Sequence, residues 1–376
     1  MTTLARIGDA LDVLASRHRL RRLKPRTGWD FASNDYLGLA GSALLADAAR
    51  EALDRGVPVG SGGSRLLRGN HPEHEMLEAE AASFFGAEAA LFMGGGFQAN
   101  QAIFSSLPAT GDLILHDTLV HASALEGMRL GRATTRAFSH NDITAAGQIL
   151  GKWRSDGGRG QVWIAVESVY SMNGDLAPLS DLACLARDEG AVLVVDEAHA
   201  TGVFGPQGRG LADRLNAQVL RLHSCGKALG VAGGLICGAK VMIDMLINRA
   251  RPFVFATAPS PLTAVLVRAA LRALQEHPDL VHATHQRMTH AHAEARRLCA
   301  LNDLQSHIIP VVIGADEATM LRAQCLQDRG FDVRGIRPPT VPRGTSRLRI
   351  SITGNIDRAQ ITALFMAIAD QQREVA

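Results

Sequence analysis

Lysine is scarce in this chain. Of the 39 lysine and arginine residues, only four are lysines. Arginine carries the rest of the positive charge, and because its guanidinium stays protonated it cannot act as an amine nucleophile. Lys24 and Lys152 lie among charged or loop residues, and Lys240 begins a predicted helix. Lys227 alone is surrounded by Gly, Ala and Leu, so it is the candidate for a functional amine.

Other absences narrow the class of protein. The net charge of +2 offers no argument for a nucleic-acid partner. Five cysteines, an odd number without a CxxC pair, favour a reducing compartment over a disulfide framework or a zinc site. No apolar run is long enough to span a bilayer, and residues 1–24 lack the apolar core of a secretory signal. We therefore expect a cytoplasmic protein without a membrane partner.

Histidine is abundant, but its clusters do not predict a metal site. His282, His285, His290 and His292 share a predicted helix, and neither this set nor His71 with His74 has a convincing carboxylate or thiol partner. Solvated helix faces explain such clusters better than metal ligation does. No metal is expected.

Residues 72–237 alternate between helical and strand-like patterns. This alternation predicts an α/β fold with a mainly parallel sheet covered by helices on both faces. The predicted strands are 89–93, 113–116, 133–138, 162–167, 191–196, 219–224 and 233–237, and the predicted helices are 72–85, 97–106, 121–129, 141–151 and 179–189. A hydrophobic content of 47% can supply the large core that such a sheet needs.

The pattern changes after residues 256–261. Long helical stretches and a few short strands predict a smaller C-terminal α+β domain. The expected division is an N-terminal helix and extended arm over 1–40, a large domain over 41–265 and a small domain over 266–376. The C-terminal elements are helices at 262–276, 279–301, 316–329 and 357–371 and strands at 307–313 and 347–352, and the N-terminal ones are helices at 4–23 and 42–55 and a strand or extended segment at 31–39.

Three side chains of different chemistry follow neighbouring predicted strands. Asp196 ends the strand at 191–196 and His199 follows it, and Lys227 follows the strand at 219–224. Ligands of parallel sheets bind beyond the carboxyl ends of the strands. A carboxylate that keeps a pyridine nitrogen protonated, together with an amine that forms a Schiff base, is what a pyridoxal 5'-phosphate (PLP) enzyme needs. A capping aspartate, a locally satisfied histidine and an ordinary turn lysine remain the simpler alternatives.

Other segments could bind the phosphate of PLP or the carboxylate of its substrate. Gly94–Asn100 follows a strand and opens a helix, where free amides can bind a phosphate, although a flexible turn is the better explanation for a glycine run alone. No Gly-Lys-Ser/Thr follows, which argues against a nucleoside-triphosphate loop. His121 could stack on a planar ring or cap a helix. Arg349, in an alternating strand, could bind a carboxylate or belong to a solvated face.

Over about residues 5–370 the chain resembles the α-oxoamine synthases, which are fold type I PLP-dependent transferases. The last of the supporting motifs is similar to the family members of biotin biosynthesis. The motifs are Ser33–Leu39, Gly60–Arg65, Gly96–Asn100, His121–Ser123, Val169–Asp175, Val195–Gly202, Gly226–Lys227 and Ile336–Pro342. Ser224 stands where the family more usually has Thr, and His223 and Cys225 are atypical.

The resemblance implies a role for each matching residue. Lys227 holds PLP and moves the substrate proton, Asp196 pairs with the ring nitrogen, and His121 stacks on the ring. The phenolic oxygen is contacted by His199 and Ser171. The phosphate is bound by Gly96, Phe97 and Ser224, and by Thr257 across a homodimer. Asn34 and Arg349 bind the amino-acid carboxylate, and Arg21 and Thr340 contact the acyl substrate.

The implied reaction is a decarboxylative condensation of L-alanine with a pimeloyl thioester of coenzyme A or acyl-carrier protein. A sister synthase that uses glycine, such as 2-amino-3-ketobutyrate CoA ligase or 5-aminolevulinate synthase, is the alternative, because one methyl group discriminates by only about 1–3 kcal/mol. A non-catalytic scaffold subunit would not need Lys227, Asp196, His199 and Arg349, so this class is disfavoured.

Overall fold

A computed structural model describes residues 2–373 of the chain. Its internal contacts group the residues into two compact units. The large unit comprises Leu37–Ser171 and Leu176–His282, and the small unit comprises, among the described residues, 2–36, Met172–Asp175 and 283–373. The three-part division into 1–40, 41–265 and 266–376 stays a prediction, since compact units and domains need not share boundaries.

The helices and strands of the described residues follow the alternation expected from the sequence. The helices are α1 Thr3–Ser16, α2 Ala43–Asp54, α3 Pro72–Phe85, α4 Gly96–Ser106, α5 Ala122–Leu130, α6 Ile143–Ser155, α7 Leu179–Asp188, α8 Lys240–Arg249, α9 Arg251–Val254, α10 Pro261–Glu276, α11 Pro278–Cys299, α12 Asp316–Asp328 and α13 Arg358–Arg373. The strands are β1 Trp29–Asp30, β2 Ala89–Met93, β3 Leu113–Asp117, β4 Thr134–Phe138, β5 Val162–Glu167, β6 Val192–Asp196, β7 Gln218–Ser224, β8 Gly234–Gly238, β9 Ile308–Gly314, β10 Phe331–Asp332, β11 Arg334–Ile336 and β12 Ser346–Ser351.

The large unit is built on a seven-stranded sheet of order β2-β8-β7-β6-β5-β3-β4. Neighbouring strands are parallel except at β8, which is antiparallel to β2 and β7. Strands joined through a helix return parallel, whereas residues 225–233 join β7 to β8 by a turn and so reverse the direction. The predicted mainly parallel sheet is confirmed. This connection places Lys227 in that turn, at the carboxyl end of β7.

Apolar side chains alternate between the two faces of this sheet. Leu193 packs in one cluster, whereas Val192 and Val194 pack in another. Likewise Ile114 and Leu115 of β3 belong to opposite clusters. Successive strand residues point to opposite faces, so both faces are covered, as in an α/β fold. Buried strands therefore leave only their carboxyl ends for polar chemistry.

The small unit contains a three-stranded antiparallel sheet of order β11-β12-β9 and a two-stranded parallel pair of β1 with β10. Helices α11, α12 and α13 contribute to its apolar core. All six residues of β12 are buried, including Arg347 and Arg349. The alternative of a solvated strand face for these arginines was therefore wrong.

The N-terminal helix is shorter than expected. It ends at Ser16, whereas the sequence predicted a helix over 4–23. His18 has a φ of +54°, and the guanidinium of Arg19 forms an ion pair of 2.7 Å with Asp316 of α12. Tertiary contacts of the arginine-rich segment at 17–22 thus replace the helix there. The segment 31–39 forms bends and turns, because the carboxylate of Asp30 accepts the amides of Ala32 and Ser33.

Six short elements of the described residues had no sequence signal. These are β1, α9, β10, β11, a π-helical turn at Arg65–Gly69 and a 3-10 turn at Pro206–Gly208. Elements of two to five residues cannot show a periodic pattern, so tertiary contacts decide them. Within residues 2–373, no helix is both long and apolar enough to cross a membrane.

Candidate active site

The carboxylate of Asp196 stands at the carboxyl end of β6. Its Oδ2 accepts a hydrogen bond of 2.8 Å from the side-chain amide of Asn100, and its Oδ1 accepts one of 3.0 Å from the amide of Ala198. Both oxygens therefore act as acceptors, which suits an ionised carboxylate. The local turn to Ala198 is the structural role considered for this residue from sequence. The contact with Asn100, 96 residues away, goes beyond that role.

Lys227 and His199 contact each other directly. Nζ of Lys227 lies 2.8 Å from Nε2 of His199, which is buried. The turn that carries the lysine is held by a hydrogen bond from the amide of Val231 to the carbonyl of Cys225, and Gly230 adopts a φ of +68° within it. A Cβ at Gly230 would lie 2.5 Å from the backbone nitrogen of Ala40, so the close approach requires glycine. The turn thus fixes the backbone position of Lys227.

His121 is connected to Asp196 by a chain of hydrogen bonds. Asn100 also donates to Oγ of Ser123 at 2.9 Å, and that hydroxyl lies 2.7 Å from Nδ1 of His121. The amide of Ser123 donates to the same Nδ1 at 3.2 Å. Since an amide can only donate, Nδ1 is an acceptor and the neutral ring carries its proton on Nε2. His121 is also the N-cap of α5, so the capping alternative holds as well.

Electrostatics agree with a neutral imidazole at this position. Desolvation lowers the pKa of His121, with an opposing contribution from Asp196 and a further lowering from Lys227. The pKa of His121 therefore responds to the charges of both Asp196 and Lys227. The predicted ring-stacking residue is thus neutral at physiological pH.

The predicted phosphate site lies where α4 begins. Its N-cap is Gly95, which has no side chain to occupy the free amides of the first turn. A Cβ on Gly96 would lie 3.6 Å from Oγ of Ser224, so helix start and hydroxyl are neighbours. Phe97 follows, half-exposed, and its ring is nearly perpendicular to that of His121, with the ring centroids 6.5 Å apart. This arrangement can bind an anion.

Thr257, the remaining residue of the predicted phosphate site, lies in a separate segment that follows α9. It is exposed and borders a cavity that is also lined by Gly94, Arg65 and Phe253. The next amide, of Ala258, donates to the carbonyl of Gly63 at 2.9 Å, which links the segment to the glycine-rich motif at residues 60–65. The structure therefore brings Thr257 to the loop before α4, and its role across a homodimer stays a prediction.

One acid beside Asp196 received no role from the sequence. Glu167 ends β5 and pairs in register with Asp196 of β6. Its Oε2 accepts the amide of the buried Ser171 at 3.1 Å. Burial raises the pKa of Glu167 to about 8, and the nearby Asp196 charge adds to the increase. The signal for Glu167 was its position at the end of a strand next to that of Asp196.

The predicted carboxylate-binding residues meet inside the small unit. Nη2 of Arg349 donates to Oδ1 of Asn34 at 3.1 Å, and Nη1 donates to Oγ of Ser351 at 2.8 Å. The hydroxyl of Tyr36 also donates to Oδ1 of Asn34 at 2.9 Å. This bonding holds the buried guanidinium in one orientation, which suits planar recognition of a carboxylate.

The predicted acyl-contacting residues also lie together in the small unit. A guanidinium nitrogen of Arg21 is 3.3 Å from Oγ1 of Thr340, and both residues are exposed. Arg21 borders a groove that has apolar and cationic walls. The other lining residues are Leu14, Arg19, Pro338, Pro339, Val341, Pro342 and Arg343.

The two atypical residues of β7 and its turn have a structural explanation. The ring of His223 stacks on Phe85 at 3.6 Å, and its Nδ1 lies 2.8 Å from Oγ1 of Thr201. Burial, with a contribution from Arg221, holds the pKa of His223 well below its usual range. Burial also raises the pKa of the fully buried Cys225 thiol, so it is not a reactive thiolate. Within residues 2–373, no group of three or more His, Cys, Asp or Glu residues could hold a metal ion.

The model of the family described as aminotransferase class I and II matches residues 26–368. The chain belongs to this family. Solved relatives include a serine palmitoyltransferase from S. paucimobilis with a bound PLP–myriocin aldimine, which has a TM-score of 0.90 at 26% identity and full coverage of both chains. The predicted fold type I architecture is confirmed.

Curated relatives within the family agree on one activity. An 8-amino-7-oxononanoate synthase of Anaeromyxobacter dehalogenans is 37% identical over 96% of this chain and 93% of its own length. One of Methylobacterium nodulans is 41% identical over 90% of this chain and 86% of its own length. A solved 8-amino-7-oxononanoate synthase from Francisella tularensis has a TM-score of 0.76 at 27% identity, with 92% of this chain and 98% of that chain covered.

Proposed function

We propose that this chain is a PLP-dependent acyltransferase that condenses L-alanine with a pimeloyl thioester to give 8-amino-7-oxononanoate, CO2 and the free carrier. The observation that carries the proposal is the convergence of Lys227, His199 and Asp196 at the carboxyl ends of β6 and β7. The relatives named 8-amino-7-oxononanoate synthase support this activity over the alternative that uses glycine.

The donor set of the large unit fits PLP. The start of α4 offers backbone amides beside the hydroxyl of Ser224, and a Cβ on Gly96 would occupy part of that cradle. Asp196 offers an acceptor oxygen, and Lys227 offers an amine. When bound, PLP supplies an electron sink that stabilises negative charge at the Cα of the amino acid.

The residues of the chain control where protons reside. Asp196 would hold a proton on the ring nitrogen of bound PLP, because a carboxylate favours the cationic form of its neighbour. Nζ of Lys227 would hold the cofactor and would serve as the base for the Cα proton. His199 and Ser171 would hydrogen-bond to the phenolic oxygen. His121, neutral with its proton on Nε2, would cover the ring face and exclude water from it.

Substrate binding is assigned to the small unit. We propose that Arg349 and Asn34 hold the carboxylate of L-alanine, so that the bond to be broken is held in one direction. Arg21 and Thr340 contact the acyl group, and the groove beside them suits an aliphatic chain that ends in a carboxylate. The carrier is coenzyme A or acyl-carrier protein.

The assembled enzyme is proposed to be a cytoplasmic homodimer. Thr257 would then complete the phosphate site of the partner subunit, with the amides of Gly96 and Phe97 and the hydroxyl of Ser224 supplied within one chain. Exposed Thr257, tied to the glycine-rich loop through Ala258, is compatible with that role.

A substrate comparison tests the function. The purified protein with PLP is expected to show a visible absorption band that changes on addition of L-alanine and to release CO2 only when a pimeloyl thioester is also present. Pimeloyl-CoA and pimeloyl-acyl-carrier protein would be compared with acetyl-CoA and succinyl-CoA, each with alanine and with glycine. Turnover of only acetyl-CoA with glycine would refute the proposal.

A further inference from the structure

Two carboxyl groups lie side by side at the carboxyl edge of the sheet. Glu167 of β5 and Asp196 of β6 are direct register partners. Both line one small cavity, which is also bordered by Asn100 and His121. Two negative charges so close would repel each other strongly in a buried site, so their protonation must be considered together.

Hydrogen bonding distinguishes the two acids. Asp196 has a donor on each oxygen, from Asn100 and Ala198. Glu167 accepts the amide of Ser171 on Oε2, and the Ser171 side chain also hydrogen-bonds to this carboxyl group. Among residues 2–373, Oε1 of Glu167 has no hydrogen-bond partner. Glu167 is only 3% exposed, so an ionised Oε1 would be buried without a donor from the described residues.

The surrounding charges point the same way. Asp196 from β6 opposes ionisation of Glu167, whereas Lys227 from the β7–β8 turn favours it to a smaller extent. His121 from the start of α5 borders the same cavity and is neutral. Asp117, which ends β3 on the other side of β5, already accepts hydrogen bonds from Leu119, His140 and Asn141. None of these groups supplies the donor that an anionic Oε1 would need.

We propose that Glu167 is a neutral carboxylic acid that positions Ser171 through Oε2 and leaves Asp196 as the one ionised carboxylate of this pair. Glu167 is thus a positioning residue for Ser171, which is itself assigned to the phenolic oxygen of PLP. The inference rests on the proposed function for the identity of the ligand, whereas the protonation of Glu167 can be measured without any catalysis.

The protonation is tested by infrared difference spectroscopy of the intact protein at pH 7. Wild type is expected to show a carbonyl stretch of a protonated carboxylic acid that disappears in Glu167→Gln and is lost in wild type as the pH rises through about 8. Glu197→Gln is the matched control and should keep the band. Burial also raises the pKa of Glu197, but its two oxygens accept hydrogen bonds from Ser168, Leu211 and Ala212. A band that is absent from wild type, or that is lost in Glu197→Gln and kept in Glu167→Gln, would overturn the proposal.

The positioning role is tested by the equilibrium dissociation constant for PLP. Glu167→Gln keeps an acceptor for the amide of Ser171 and stays neutral, so it should bind PLP within about threefold of wild type. Glu167→Leu removes that acceptor and should weaken binding about tenfold, the effect of one lost hydrogen bond. Equal weakening in both variants would mean that an anion is required and would contradict the proposal. If wild type binds no PLP, the proposed function fails, while the infrared result still reports on Glu167.

Discussion

Nζ of Lys227 lies 2.8 Å from Nε2 of His199, so the amine and the imidazole share one hydrogen bond. The lysine follows β7 and the histidine follows β6, and these strands are parallel neighbours. This pair places the amine at the carboxyl end of the sheet, where Asp196 ends β6.

Replacement of Lys227 should abolish the chemistry. In Lys227→Ala we expect the visible band of the lysine-bound cofactor to be absent and turnover to fall by about 10²–10⁴-fold, the usual contribution of a positioned acid–base group. Absorption spectra and CO2 release measure this. Lys240→Ala is the control, because Lys240 is exposed and pairs with Asp244. A normal band in Lys227→Ala without added amine would refute its role.

Asn100 should couple Asp196 to His121. Asn100→Ala removes the donor to both Asp196 and Ser123, and unpaired buried polar groups cost about 1–3 kcal/mol. We expect about tenfold weaker PLP binding, measured by equilibrium titration. Asn248→Ala, which removes an exposed amide bonded to the carbonyl of Asp244, should leave the affinity unchanged. Equal PLP affinity for wild type and Asn100→Ala would argue against coupling through the chain of hydrogen bonds from Asp196 to His121.

Arg349 should act by its geometry as well as its charge. Arg349→Lys keeps the charge but cannot bind a carboxylate with two parallel hydrogen bonds. We expect the KM for L-alanine to rise at least about tenfold, with a smaller change in the KM for the thioester. Arg297→Lys, which changes an exposed arginine paired with Glu294, is the matched control. If only the KM for the thioester rose, Arg349 would belong to the acyl site.

Low pH should weaken the segment that carries Thr257. His74 is buried, with Nε2 2.7 Å from the carbonyl of Pro259, and burial lowers its pKa to about 4. Since the folded state takes up this proton less readily than the unfolded chain, its contribution to stability is present above about pH 6.5 and is lost as the pH falls toward 4.

Thermal unfolding between pH 7 and pH 4 checks this contribution. His74→Gln should be less stable than wild type at pH 7 and should lose less stability on acidification. His277→Gln, at an exposed position, should follow the wild-type profile. A wild-type profile for His74→Gln would show that His74 does not control the acid response.

Alanine substitutions at Gly230 and Gly56 distinguish the stability cost of crowding from the cost of backbone strain. Both have positive φ, +68° and +78°, but a Cβ at Gly230 would meet the backbone of Ala40 at 2.5 Å, whereas Gly56 has open space. Gly56→Ala should cost about 1–2 kcal/mol of unfolding free energy, the cost of a left-handed residue. Gly230→Ala should cost more and should also weaken PLP binding through Lys227. Denaturant titration compares them, and equal costs would rule out the crowding argument.

Some of this protein was determined by local patterns alone. The strand at Val192–Asp196 shows in the sequence as an apolar run, and the isolation of Lys227 follows from counting lysines. Neither observation needs contacts between distant segments. The same is true of the helix and strand periods that predicted a mainly parallel sheet. The position of Asp196 at a strand end followed from the same pattern.

Only the tertiary structure could decide which polar groups face each other. Asn100 reaches Asp196 across 96 residues, and Glu167 differs from Asp196 because one of its oxygens is buried without a donor among residues 2–373. The same holds for Arg349, which is buried against Asn34 although its alternating strand allowed a solvated face. Hydrogen-bond direction and burial depend on packing between distant segments, so the local sequence determines the types of groups, whereas the fold determines their protonation and their partners.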